Sequence, residues 1–175
     1  MPETSVQRVE ATVHAAEITL HPVRRPWART TGLLAVSRCH RRRRVRTVLA
    51  RPPLIDIDNA VNERLDLIYA DSSLGERLQH ALPDTRVVKT LNTVGGPIGV
   101  QPGLLPSPTD VFLSGDDTEA KAVVASLLGE FGWTAEHRID LGAIATARAA
   151  AHYFLLFAAL MGACGNPAFN ISITR

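Results

Sequence analysis

Arg86-Val-Val-Lys-Thr-Leu-Asn-Thr93, with Gly95-Gly96-Pro97 one residue further on, is the part of this 175-residue chain that orders the rest. Val87, Val88, Thr90 and Leu91 are β-branched or apolar, the composition of a strand inside a packed sheet. Asn92 and Thr93 put polar side chains at its C-terminal end. The Gly-Gly-Pro run predicts a loop that needs unusual backbone angles. Lys89 alternates with apolar neighbours and is expected to reach solvent, with a binding role as the sharper alternative.

Upstream, Leu54-Ile-Asp-Ile57 reads as a second buried strand that ends in Asp58-Asn59. A polar connection through Asn62, Glu63 and Asp66 follows. Ser73-Leu-Gly-Glu76 has the spacing of a capping box, and Leu74, Leu78, Ala81 and Leu82 recur at helical spacing until Pro83 stops the helix. Downstream, Pro102, Gly103, Pro106 and Pro108 extend the loop, and Asp110 to Ser114 (DVFLS) is a third strand. Gly115-Asp-Asp117 turns into a helix whose Ala120, Val123, Val124, Leu127, Leu128 and Phe131 form the strongest amphipathic pattern in the chain. Gly132 ends it. Trp133 to Leu141 holds another strand, with Gly142 as its exit, and Phe169 to Thr174 is a possible last strand. Residues 143–163 form a long helix apolar nearly all round. Its Tyr153–Met161 stretch is short for a bilayer crossing, and Arg148 and His152 interrupt the longer run, so burial is expected, in a core or against a second subunit. The alternation predicts an α/β fold with a mostly parallel sheet and a C-terminal buried helix.

The net charge of +2 is unevenly spread. Residues 1–52 hold 11 Lys+Arg and three acids, giving +8, while residues 53–175 hold 8 and 14, giving −6. The first segment includes the run Arg41 to Arg44 and shows weak apolar periodicity. It is read as a basic, atypical segment that does not pack, and its composition resembles GC-rich coding sequence read out of frame. A nucleic-acid arm is the sharper alternative, but no aromatic residues interleave the arginines and no recognition-helix pattern surrounds them, so such a partner is not expected. Glu3, Glu10 and Glu17 argue against a transit peptide, and no secretory apolar core is found. Val45 to Ala50 is a weak strand candidate. Two cysteines exclude a disulfide scaffold or a four-Cys zinc site; Cys39-His40 lacks two further ligands, and no metal is expected.

Ile55-Asp-Ile-Asp-Asn59, Arg86 to Thr93, Gly115-Asp-Asp117, Asp140-Leu-Gly142 and Ala147-Arg148 together resemble, in order and spacing, the NADP oxidoreductases that depend on the deazaflavin coenzyme F-420. That family shows a D-x-x-N strand end, a VVKAFNT strand, a GDD helix start and a DxG…AR segment. The resemblance covers residues 53–175. It implies a Rossmann-like domain over 53–175 with a helical C-terminal part, and hydride transfer between NADP(H) and a deazaflavin or similar acceptor. The cofactors carry that chemistry, so no catalytic side chain is required. Ligands of open α/β sheets sit beyond the carboxyl ends of the strands. The resemblance therefore implies cofactor contacts at Asn59, Asn92 and Thr93, and a substrate-facing loop at Gly95, Gly96 and Pro97. One departure stands out. The family's first strand ends in a G-x-G-x-x-G turn that holds the pyrophosphate, whereas Gly32 is the single glycine before Gly75 here.

The plainer readings of the same residues are strand-end turns for Asn59 and Asn92, helix caps for Asp116 and Asp117, an internally paired Arg148, and ordinary histidines at His80 and His152. A cytoplasmic protein that self-associates through residues 143–163, with no membrane partner, completes the expectation. The alternatives are a non-catalytic dimerising member of the family and a basic-arm nucleic-acid adaptor.

Overall fold

The computed structural model describes residues 18–23, 33–38 and 52–174. The Arg41–Arg44 run, Cys39-His40 and the Val45–Ala50 strand candidate lie outside the described residues. Six strands run in chain order across one sheet: β1 (Ile18–Val23), β2 (Leu33–Arg38), β3 (Leu54–Asp56), β4 (Val87–Thr90), β5 (Val111–Ser114) and β6 (Arg138–Asp140). The β2–β3, β3–β4 and β5–β6 pairings are parallel; β1–β2 and β4–β5 are antiparallel. The sheet is thus mostly parallel, a partial Rossmann-like α/β arrangement. Because β5 runs against β4, it begins at the edge of the sheet where β3 and β4 end.

Four helices cover the sheet: α1 (Leu74–Ala81), the short α2 (Gly96–Val100), α3 (Thr118–Phe131) and α4 (Ala147–Cys164). Leu54 and Val87 pack with Leu74, Leu78, Ile144 and Ala147, so α1 and the start of α4 share one face. Ile55, Val88, Val111 and Leu113 pack with Ala120, Val124, Leu128 and Trp133 on the other face, under α3. Covering both faces explains why β3 and β4 are buried at every position and read as apolar runs without alternation. Each large apolar side chain so enclosed gains about 1.5–3 kcal/mol over an exposed one.

The helix boundaries follow the capping chemistry. Ser73 Oγ accepts the Glu76 N–H at 3.2 Å and donates to Glu76 Oε2 at 3.0 Å. The Glu76 carboxylate thus meets the serine hydroxyl rather than returning to the Ser73 N–H as a full capping box would. Asp117 caps α3, accepting the Ala120 N–H at 2.7 Å, and Gly132 ends it at φ 104°. Asp116 does not cap α3. Its carboxylate accepts the Ile144 N–H at 2.9 Å and holds the turn before α4.

Further expectations change, first for the basic segment 1–52, which was expected not to pack: its β1 and β2 join the sheet, β2 in parallel with β3. Gly96-Pro97 opens α2 instead of continuing a loop, since proline suits a first helical turn. Phe169–Thr174 forms no strand. Lys89 does not reach solvent: it is 1% exposed and its Nζ lies 2.9 Å from Asp56 Oδ2, its register partner on β3. The helix after residue 143 is buried only along Ala147, Ala150 and Ala151, while Leu155, Leu156 and Met161 are exposed. Counted from Ile144 to Cys164 it is 21 residues, long and apolar enough to cross a membrane by length and composition. Arg148, within that run, pairs with the Glu76 carboxylate at 2.9 Å.

Candidate functional site

At the carboxyl ends of β3 and β4 the surface opens into a cleft of about 470 Å³. The segment after β3 contributes Ile57, Asp58 and Asn59, the segment after β4 contributes Leu91, Asn92, Val94, Gly95 and Gly96, and α4 contributes Phe154 and Phe157. Pro167, beyond α4, closes one side. The walls are mainly apolar, with a few polar groups at one end, as small-molecule sites usually are.

The polar end is built by a reciprocal pair. Asn59 Nδ2 donates to the Asn92 carbonyl at 2.7 Å, and Asn92 Nδ2 donates to Asn59 Oδ1 at 2.9 Å. Asn92 Nδ2 also donates to the Ala150 carbonyl at 2.8 Å, which ties α4 to the strand ends. Both asparagines are therefore structural ties as well as cleft walls. Beneath them, Lys89 Nζ donates to the Asp58 carbonyl at 2.6 Å as well as to Asp56. That ammonium is spent on holding the post-β3 segment and is not available to a ligand.

Leu91 adopts φ 60°, a left-handed conformation unusual for a residue with a branched side chain. Such geometry costs on the order of 1–3 kcal/mol and survives where the surroundings over-determine it. Here it turns the chain between the end of β4 and Asn92, whose amide is fastened from two sides. Gly95 is required for a different reason: a Cβ there would sit 2.5 Å from the Pro167 carbonyl oxygen. Trp133, 2% exposed, donates its indole N–H to the Gly99 carbonyl at 2.9 Å and fixes α2 from below.

Of the residues expected at a site, Asn59, Asn92, Gly95 and Gly96 line the cleft. Thr93 is 2% exposed with its hydroxyl unpartnered among the described residues, and Pro97 is exposed on α2; neither lines the cleft. Sequence reasoning did not find Leu91, Phe154, Phe157 or Pro167. The aromatic residues of α4 were visible as an apolar run, but nothing local tells which of them turn toward the sheet edge. No group of three or more His, Cys, Asp or Glu suited to a metal is present among the described residues.

Glu76 and Arg148 stand outside the cleft. Burial disfavours the charged Glu76 carboxylate more than any other single factor. Hydrogen bonds from Arg148, Ser73 and Ser72, with the arginine's charge, together outweigh it and hold the carboxyl below its usual range.

Known structures resemble this arrangement. A candidate coenzyme F-420-dependent NADP-reductase from Arthrobacter sp. FB24 is 40% identical, with a TM-score of 0.66 over 73% of this chain. The chain belongs to the coenzyme F-420-dependent NADP oxidoreductase family. It spans 60% of that neighbour's length. A hypothetical protein from Sinorhizobium meliloti is 24% identical over 54% of this chain and 47% of its own, with a TM-score of 0.45. No protein-family model and no curated protein matches the chain.

The cleft of this family member fits part of a dinucleotide. Its volume, apolar walls and polar end suit a flat heterocycle. Among the described residues no Lys or Arg lines it, and no G-x-G-x-x-G occurs in the chain. The described residues therefore fit the ring and do not provide a phosphate cradle.

Proposed function

We propose that this chain carries the ring-binding part of an NADP-dependent oxidoreductase site, with a deazaflavin or similar ring as the hydride partner. The observation that carries this is the cleft at the ends of β3 and β4, closed at its polar end by the Asn59–Asn92 pair. When bound, the nicotinamide gives or takes the hydride, chemistry that belongs to the cofactor. The protein's share is binding and orientation. Leu91, Val94 and Phe157 keep water from the faces of the ring, and the Asn59–Asn92 carboxamides orient its polar edge. The cytoplasm is the setting in which such a reductase would act.

The exposed Leu155, Leu156 and Met161 of α4 support self-association through residues 143–163, since large apolar side chains left exposed along one helix invite cover by a partner.

Calorimetric titration with NADPH tests the reading. Saturable binding is expected, weakened about threefold to tenfold in Asn59→Ala, the change that follows from losing one or two hydrogen bonds. No heat and no thermal shift with NADPH or NADP would remove it and leave a non-catalytic member of the family. Salt-sensitive nucleic-acid binding that disappears when residues 38–46 are deleted would instead favour the basic-arm adaptor.

A further inference from the structure

The C-terminal segment 166–173 does more than follow α4. Gly165, at φ 72° with its N–H on the Met161 carbonyl, ends α4 and turns the chain back. Asn166 braces the turn, its Oδ1 accepting the Ala168 N–H at 2.8 Å. The Pro167 carbonyl then presses against Gly95, and the Phe169 ring lies 5.0 Å from that of Phe157, which also lines the cleft. The far end of the segment is tied to the start of β5. The Asp110 N–H donates to the Ile171 carbonyl at 2.9 Å, and the Ile173 N–H donates to Asp110 Oδ2 at 2.6 Å. Asn170 Nδ2 donates to the Asp110 carbonyl at 2.8 Å and to Thr109 Oγ1 at 3.0 Å. Asp110 is 3% exposed, and its other carboxylate oxygen lies 2.9 Å from His137 Nδ1. A buried carboxylate is thus used on one oxygen to hold a backbone amide of the tail, while a histidine anchors the other.

From this we propose that residues 166–173 form a strap that sets access to the cleft, and that Asp110 is the positioning residue that fastens it. The antiparallel β5 makes this possible, because its start lies at the same sheet edge as the carboxyl ends of β3 and β4. The proposal deepens the ring-site reading, since the strap would grip whatever ring the cleft admits, but its mechanical part stands without any ligand.

The test uses cleft access as its readout. In the full chain carrying Cys39→Ser and Cys164→Ser, Gly96→Cys places a thiol on the cleft wall, where an added Cβ meets nothing within 4 Å. Its labelling rate with a bulky maleimide is measured with and without Asp110→Asn, alongside amide exchange at Ile173 and a thermal melt. Asp110→Asn is expected to speed both labelling and Ile173 exchange by about threefold to tenfold, the scale of turning one charge-assisted bond into a neutral one, while α3 amides stay protected. Faster Ile173 exchange with unchanged labelling would overturn the strap, and unchanged Ile173 exchange would overturn the role of Asp110. If Asp110→Asn does not fold, Asn170→Ala replaces it as the test of the strap, because it removes the bonds to the Asp110 carbonyl and Thr109 Oγ1 and leaves the buried carboxylate in place; faster labelling is then expected, and unchanged labelling would overturn the strap. Wild-type protein that binds no NADPH would sink the ring-site reading alone, since the labelling measurement contains no nucleotide.

Discussion

Lys89 and Asp56 illustrate how one buried pair shapes the site. Removing one partner of a buried ion pair leaves the other charge unpaired and costs about 3–5 kcal/mol, whereas replacing both with apolar groups of similar size is often close to neutral. Lys89→Met is therefore expected to destabilise by about that amount and to free the segment Asp58–Asn59, while Lys89→Met with Asp56→Leu recovers most of the loss. Urea denaturation of the two variants checks this; equal instability would mean that the pair is not the source. Glu76 gives a prediction in pH. Its carboxyl is held below the ordinary value of 4.5, so the folded state favours the ionised form. The resulting stability is fully present above the unfolded value and is lost as pH falls through the lower folded one. The stability difference between wild type and Glu76→Gln is thus expected to be steady near pH 6 and to shrink below about pH 4.5. A difference that grows on acidification would reverse the sign.

The elements were legible where local chemistry fixes them. Ser73 and Asp117 begin α1 and α3, Gly132 and Pro83 limit them, and the buried β3 and β4 were visible as short apolar runs. The burial of Lys89 was not legible, because a lysine between valines reads as an outward residue until its register partner on β3 is known to be an aspartate. Nor could Pro167 be placed at the cleft, since nothing within the tail announces that Gly95, some seventy residues earlier, lacks a Cβ to accommodate it. Of α4, the fold itself buries Ala147, Ala150 and Ala151; a helix apolar all round does not say how much of it its own fold covers, and cover of the rest by a second subunit belongs to the proposal. Its outward leucines carry a prediction: Leu155→Ser with Leu156→Ser is expected to shift the protein to a lower-mass species in light scattering without lowering its melting temperature. A soluble monomer already in the wild type would remove the self-association.

At the scale of the whole molecule, the fold brings two strand ends and one helix together around a ring-sized cleft, while the chain contains no glycine fingerprint for the phosphates. In the proposed reading the cleft serves the ring half of a dinucleotide site, and the described residues that line it supply no cradle for the phosphate half. Nuclear magnetic resonance tests it most directly. Titrating NADPH into labelled protein is expected to move the side-chain amides of Asn59 and Asn92 and the backbone amides of Gly95 and Gly96 in a saturable way, leaving α3 amides in place. Saturation with those four residues unmoved, or shifts confined to another surface, would contradict the cleft as the ring site.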